Sequence, residues 1–133
     1  MSPIKYGFTG TRSGLNDTQK HKLIELFEND LKSNSVELHH GDCVGADKDV
    51  HEICEKYSIN IIIHPPTDNK LRSFCYSDNI YKELPYLQRN KKIVDETDIL
   101  IACPFSEQEQ LRSGVWSTIR YAKKKNKTVI IFN

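Results

Sequence analysis

Apolar positions along this chain alternate between short β-branched runs and stripes at helical spacing. Residues 4–9 (Ile-Lys-Tyr-Gly-Phe-Thr) read as a short strand, followed by a polar loop, Gly10-Thr11-Arg12-Ser13-Gly14. Asn16 or Asp17 is placed to cap the next helix. That helix runs to about residue 32, with Leu23, Ile24, Phe27 and Leu31 on one buried face. Residues 36–40 form the second strand. A helix from about residue 45 to 57 follows, with Ala46, Val50, Ile53, Cys54 and Tyr57 inward and Asp47 and His51 placed four apart to pair. Residues 59–64 (Ile-Asn-Ile-Ile-Ile-His) are almost wholly apolar, as a strand covered on both faces should be, and Pro65-Pro66 ends the run.

The pattern fades over residues 67–84, which read as a loop with either a short helix or irregular chain over 73–83. Pro85 suits a helix first turn, and that helix reaches about residue 96 with Tyr86, Asn90, Ile93 and Val94 inward. Residues 99–103 are the fourth strand and 104–112 a polar loop. A helix over about 114–125 carries Val115, Ile119 and Ala122 on its core face, and residues 128–132 are the last strand. Strand and helix alternate throughout, which predicts an α/β, Rossmann-like, doubly wound parallel sheet of about five strands in the order 3-2-1-4-5, with helices on both faces. Ligands in such sheets bind outside the carboxyl ends of the strands, here at the switch between strands 1 and 4.

Composition narrows the class. At 133 residues one domain spanning 1–133 is expected. The net charge of +1 offers no electrostatic case for nucleic acid. The basic run Lys123-Lys124-Lys125-Asn126-Lys127 falls where a helix ends and complements its dipole. No apolar run approaches the ~20 residues of a membrane helix, and no signal-peptide pattern opens the chain. Cys43, Cys54, Cys75 and Cys103 show no framework spacing and read as free thiols in a reducing cytosol, so a cytoplasmic location is expected.

Three polar loops would lie along the ligand edge. In the first, Thr9-Gly10-Thr11-Arg12 offers hydroxyls, flexible backbone and a guanidinium that can hold phosphate bidentately. In the second, Gly41, Gly45 and Ala46 bring backbone donors beside Asp42 and Asp47, whose carboxylates suit a helix cap or a ribose hydroxyl. The third joins Arg89-Asn90 and Pro104 to Arg112-Ser113-Gly114-Val115-Trp116-Ser117-Thr118, a helix start suited to phosphate, where Trp116 either stacks on a base or packs on the sheet. His39, His40, Asp42 and His51 do not form a metal set, because neighbours on a strand face opposite ways and the spacing matches no ligand pattern. No metal and no resident cofactor is expected.

Four segments in this order resemble the SLOG superfamily, which includes the lonely-guy phosphoribohydrolases, the Rossmann domain of DNA-processing protein A and the YpsA-related proteins. Phe8-Thr9-Gly10-Thr11-Arg12 is similar to the first-strand motif of the YpsA-related and DNA-processing branches. Gly41-Asp42-Cys43-Val44-Gly45-Ala46-Asp47 with His51 resembles their G-D-x-x-G-A-D…H segment. His64-Pro65-Pro66 and the stretch Arg112 to Ala122 are similar to the YpsA-related branch. The resemblance implies a nucleotide-derived ligand, with Pro65 joining the site residues, and a homodimer paired through helices beside the site. The phosphoribohydrolase branch uses an arginine, matched by Arg89, and a glutamate, unmatched because Ile119 and Arg120 stand where it should come.

The expected function is therefore binding of a nucleotide or nucleotide-derived ligand, ADP-ribose- or NAD-like or a nucleoside monophosphate. One alternative is an N-glycosidase or phosphoribohydrolase, with Arg89 on phosphate and Asp42 or Asp47 near the ribose, since a carboxylate stabilises the positive charge of glycosidic cleavage. The other is a single-stranded DNA module, which near-neutral charge disfavours. Replacing Arg89 by alanine should weaken ligand binding and leave melting nearly unchanged.

Overall fold

A computed structural model describes residues 3–106, 108 and 113–133. Its strands are β1 (Ile4–Gly10), β2 (Val36–His40), β3 (Asn60–Ile63), β4 (Asn79–Ile80), β5 (Ile99–Cys103) and β6 (Thr128–Ile131). Its α-helices are α1 (Asp17–Asp30), α2 (Ala46–Lys56), α3 (Tyr86–Asp95) and α4 (Gly114–Lys124). All pair in parallel in one open sheet, in the order β4-β3-β2-β1-β5-β6. The five expected strands keep their order. The addition is β4, two residues hydrogen-bonded to β3 at the sheet edge. The 67–84 segment holds no α-helix, only a 3-10 turn at Asn69–Leu71 and β4.

Period-2 alternation sorts the strands between two cores. Tyr6, Phe8, Leu38, Ile61, Ile63, Ile101 and Cys103 pack with Leu23 and Phe27 of α1 and Val50, Ile53 and Cys54 of α2. Leu100 and Ala102 face the other way, against Val94 of α3 and Val115, Trp116, Ile119 and Ala122 of α4. Helices therefore cover both faces. Asn16 caps α1: its side chain accepts from Gln19 N at 2.7 Å while Gln19 Oε1 accepts from Asn16 N at 3.0 Å. The inward face of α3 differs from the expected one. Arg89, Ile93 and Val94 are buried, whereas Tyr86 is exposed and Asn90 only half-buried. No described helix is long and apolar enough to cross a membrane.

Candidate functional site

A half-open cavity of about 580 Å³ lies at the carboxyl ends of β1 and β5, where the strand order reverses. Its lining comes from four places in the chain. The end of β1 gives Thr9, Gly10, Thr11 and Arg12. The β2–α2 turn gives Gly41, Cys43 and Asp47. Helix α3 gives Tyr86, Leu87, Arg89 and Asn90. Phe105 and Ser106 after β5, with Ser113, Gly114, Trp116 and Ser117 of α4, close it.

Short contacts hold these loops together. Thr11 O accepts from Ala46 N at 3.0 Å and from Gly14 N at 3.2 Å, so the first loop is clipped onto the start of α2. Gly45 makes this clip with φ +91°, a conformation few residues other than glycine adopt, and a Cβ there would collide with the Arg12 carbonyl. The first amide of α2 is thus taken by Thr11 rather than left for phosphate. Arg12 is exposed and enters no ion pair among the described residues.

Arg89 is the buried centre of the floor, at 2% exposure. Its Nη1 donates to the carbonyls of Gly41 and of His64 (3.2 Å to the latter), its Nε to Asn90 Oδ1 at 2.8 Å, and its Nη2 approaches Cys43 Sγ at 3.5 Å. Gly41 leaves the room: a Cβ there would stand 2.5 Å from the guanidinium. A buried carboxyl beside it in the lining is Asp47, whose Oδ2 accepts from Cys43 N at 3.1 Å. Burial raises its carboxyl to about 6, against the pull of Arg89 and of the Cys43 and Gly41 amides. Burial also pushes the Cys43 thiol up, so it is a neutral wall of the cavity.

Other expected site residues lie behind the lining. Asp42 is fully buried. Its Oδ2 accepts from Arg72 Nε at 2.7 Å and its Oδ1 from Cys75 N at 2.9 Å, which fastens the 67–84 segment to the β2–α2 turn. Gly45 and Ala46 form the clip just described. Pro65 and Pro104 are buried, their carbonyls accepting from Leu84 N at 3.2 Å and Gln19 Nε2 at 3.0 Å. Thr118 Oγ1 donates to Gly114 O at 2.8 Å within α4. Trp116 reaches the lining with part of its ring but is 7% exposed and belongs to the core beneath α4. Arg112 lies outside the described residues. Leu87 and Phe105 line the cavity with no motif pointing to them, and Tyr86, expected on the core face of α3, and Cys43, expected only as a free thiol, join them. An isolated phenylalanine in a polar loop was the available signal for Phe105.

The histidines sort as the strand period requires. His40 faces α2 and its Nε2 meets His51 Nδ1 at 2.9 Å, so His51 pairs there and not with Asp47. Asp42 N donates to His40 Nδ1 at 2.9 Å, which puts the His40 proton on Nε2. His39 faces the other way, between Glu37 and His64. Burial holds His40 well below its usual range and brings His64 down to about 3, so both stay neutral. No cluster suited to a metal ion occurs among the described residues.

No family model matches the chain, and no curated protein matches it. Solved structures do. The molybdenum cofactor binding protein from the phototrophic bacterium Rippkaea orientalis superposes with a TM-score of 0.74 at 22% identity, over 98% of this chain and 77% of the other. The Moco carrier protein from Chlamydomonas reinhardtii gives 0.68 at 17% identity, over 98% and 76%. DNA processing protein A from Streptococcus pneumoniae gives 0.67 at 21% identity, over 97% of this chain and 50% of that one. At these identities the likeness is one of architecture: the chain shares their Rossmann-like α/β fold.

Proposed function

We propose that residues 1–133 form one domain that binds a nucleotide or nucleotide-derived ligand, ADP-ribose- or NAD-like or a nucleoside monophosphate, in the switch-point cavity. One observation carries the reading. The Thr9–Arg12 loop and the start of α4 at Ser113, Gly114 and Ser117 line the same 580 Å³ space. Hydroxyls, an exposed guanidinium and a helix N-terminus are what a phosphate takes, and the volume is that of a small-molecule site. Cytoplasmic residence and pairing as a homodimer belong to the same proposal, the latter read by sedimentation. Calorimetric titration with AMP, GMP, ADP-ribose and NAD tests it: at least one should bind with a stoichiometry of one per chain. No heat from any of them, with a protein that melts cooperatively, refutes it.

The likeness to two molybdenum cofactor proteins favours a second ligand for this site, the molybdenum cofactor itself. It belongs in the same titration. Asp47, a carboxyl near 6 in the cavity wall, supports a third reading, hydrolysis of the base–ribose bond. Chromatography for free base after incubation with nucleoside monophosphates tests it, and activity that survives Asp47→Asn removes Asp47 from the chemistry.

A further inference from the structure

The cavity has two chemically different ends. One side carries polar groups, from the β1 loop and the start of α4, over a floor that also includes Phe8, Ile93 and Val115. Its rim is apolar. Phe105 is 81% exposed, Leu87 59% and Tyr86 40%, and none of the three belongs to either core. The rim is also held in place. Phe105 follows Pro104, whose carbonyl is anchored by Gln19 at the end of β5. The Tyr86 ring sits 5.4 Å from the Arg89 guanidinium carbon, and its hydroxyl lies over the first residue of α4, where a Cβ on Gly114 would overlap it. Trp116, the aromatic residue that the sequence offered for stacking, is packed in the core.

We propose that this rim is the specificity-determining part of the site, with Phe105 and Tyr86 seating a flat heteroaromatic ring while the phosphate of the same ligand lies at the polar end. The inference rests on the phosphate reading above and adds which part of the ligand is selected. A sugar phosphate alone would fill the polar end and leave both aromatic rings, Tyr86 and Phe105, in water. A ligand with a ring at the distal end covers them, and any planar base presents a π face to such a platform.

The experiment titrates wild type, Phe105→Ala and Phe105→Trp with AMP, GMP, ribose 5-phosphate and inorganic phosphate by calorimetry. For wild type, the better nucleotide should bind on the order of tenfold to a hundredfold tighter than ribose 5-phosphate. Phe105→Ala should erase most of that ratio while leaving ribose 5-phosphate affinity unchanged, and Phe105→Trp should keep it. Far-UV circular dichroism confirms that each variant is folded, which is expected for so exposed a side chain. Equal affinity for nucleotide and ribose 5-phosphate, or a ratio unmoved by Phe105→Ala, overturns the inference and leaves the phosphate reading standing. Binding of none of the probes overturns both. Concentration-dependent sedimentation that Phe105→Ala abolishes, with an unchanged ratio, would assign the rim to a second copy of the chain instead.

Discussion

Replacing Arg89 separates a ligand-facing arginine from a structural one. The guanidinium is buried, donates to two backbone carbonyls and faces the buried carboxyl of Asp47. Arg89→Met keeps much of the side-chain volume and removes the charge and every donor. Each buried carbonyl left without its partner costs about 1 kcal/mol or more. A buried carboxylate deprived of its counter-charge costs about 3 kcal/mol or more. Together the loss is about 5 kcal/mol, a large part of the stability of a domain this size, and corresponds to a fall in melting temperature of about 15 °C.

Urea titration followed by circular dichroism measures the loss at pH 7.5 and again at pH 5.5. At the lower pH Asp47 is mostly protonated and no longer needs a counter-charge, so the deficit should shrink. Combining Arg89→Met with Asp47→Asn should cost less than the two changes added. A melting temperature within about 2 °C of wild type would refute this reasoning. It would also restore the expectation drawn from sequence, that Arg89 serves the ligand alone.

Three further outcomes follow from the geometry. Asp47 titrates near 6 in the folded chain and near 3.8 in the unfolded one, so the folded state binds this proton more tightly and stability falls as pH rises from about 4 through 6. The shift amounts to about 3 kcal/mol, and the difference in stability between wild type and Asp47→Asn should drift by that amount across the window in urea titrations. Gly45→Ala should lose about 2 kcal/mol or more through its positive φ and the clash with Arg12, read by thermal melting. Arg72→Ala strands the buried Asp42 carboxylate and should speed proteolytic cleavage within residues 67–84, while Asp42→Asn should leave AMP affinity unchanged because Asp42 does not line the cavity.

Elements with a clear period were legible in the sequence. The apolar run into β3 and the stripes of α1, α2 and α4 each carried enough turns or alternations to locate them, and their alternation set the parallel sheet and the edge that holds the cavity. What escaped notice depends on partners distant in sequence. Strand β4 is two residues long, too short for any period, and exists because β3 offers an edge. Arg89 reads in the sequence as a ligand-facing cation, not as a buried tie between loops. Its burial requires the carbonyls of Gly41 and His64, distant in sequence, and a glycine at 41 with no Cβ. Asp42 and Asp47 are equivalent in the linear chain; the turn sends one to Arg72 and the other to the Cys43 amide. Trp116 was open between stacking and packing, and helix α4 settles it toward the core.

That division of the two aspartates shapes how the cavity can hold an anion. Above pH 6 the charges of Asp47 and Arg89 offset one another across the floor without direct contact, so a phosphate finds attraction chiefly in Arg12, the hydroxyls and the start of α4. A phosphate entering beside Asp47 favours the protonated carboxyl, because two like charges in a poorly solvated space repel. Binding and proton uptake are therefore linked, and affinity should strengthen as pH falls toward 6. The same linkage weighs against strong catalysis by this carboxyl: the phosphate that positions a nucleotide also neutralises the one buried carboxyl that lines the cavity among the described residues. A site that binds its anion by neutralising its own acid is better suited to holding a ligand than to stabilising a developing positive charge on a ribose.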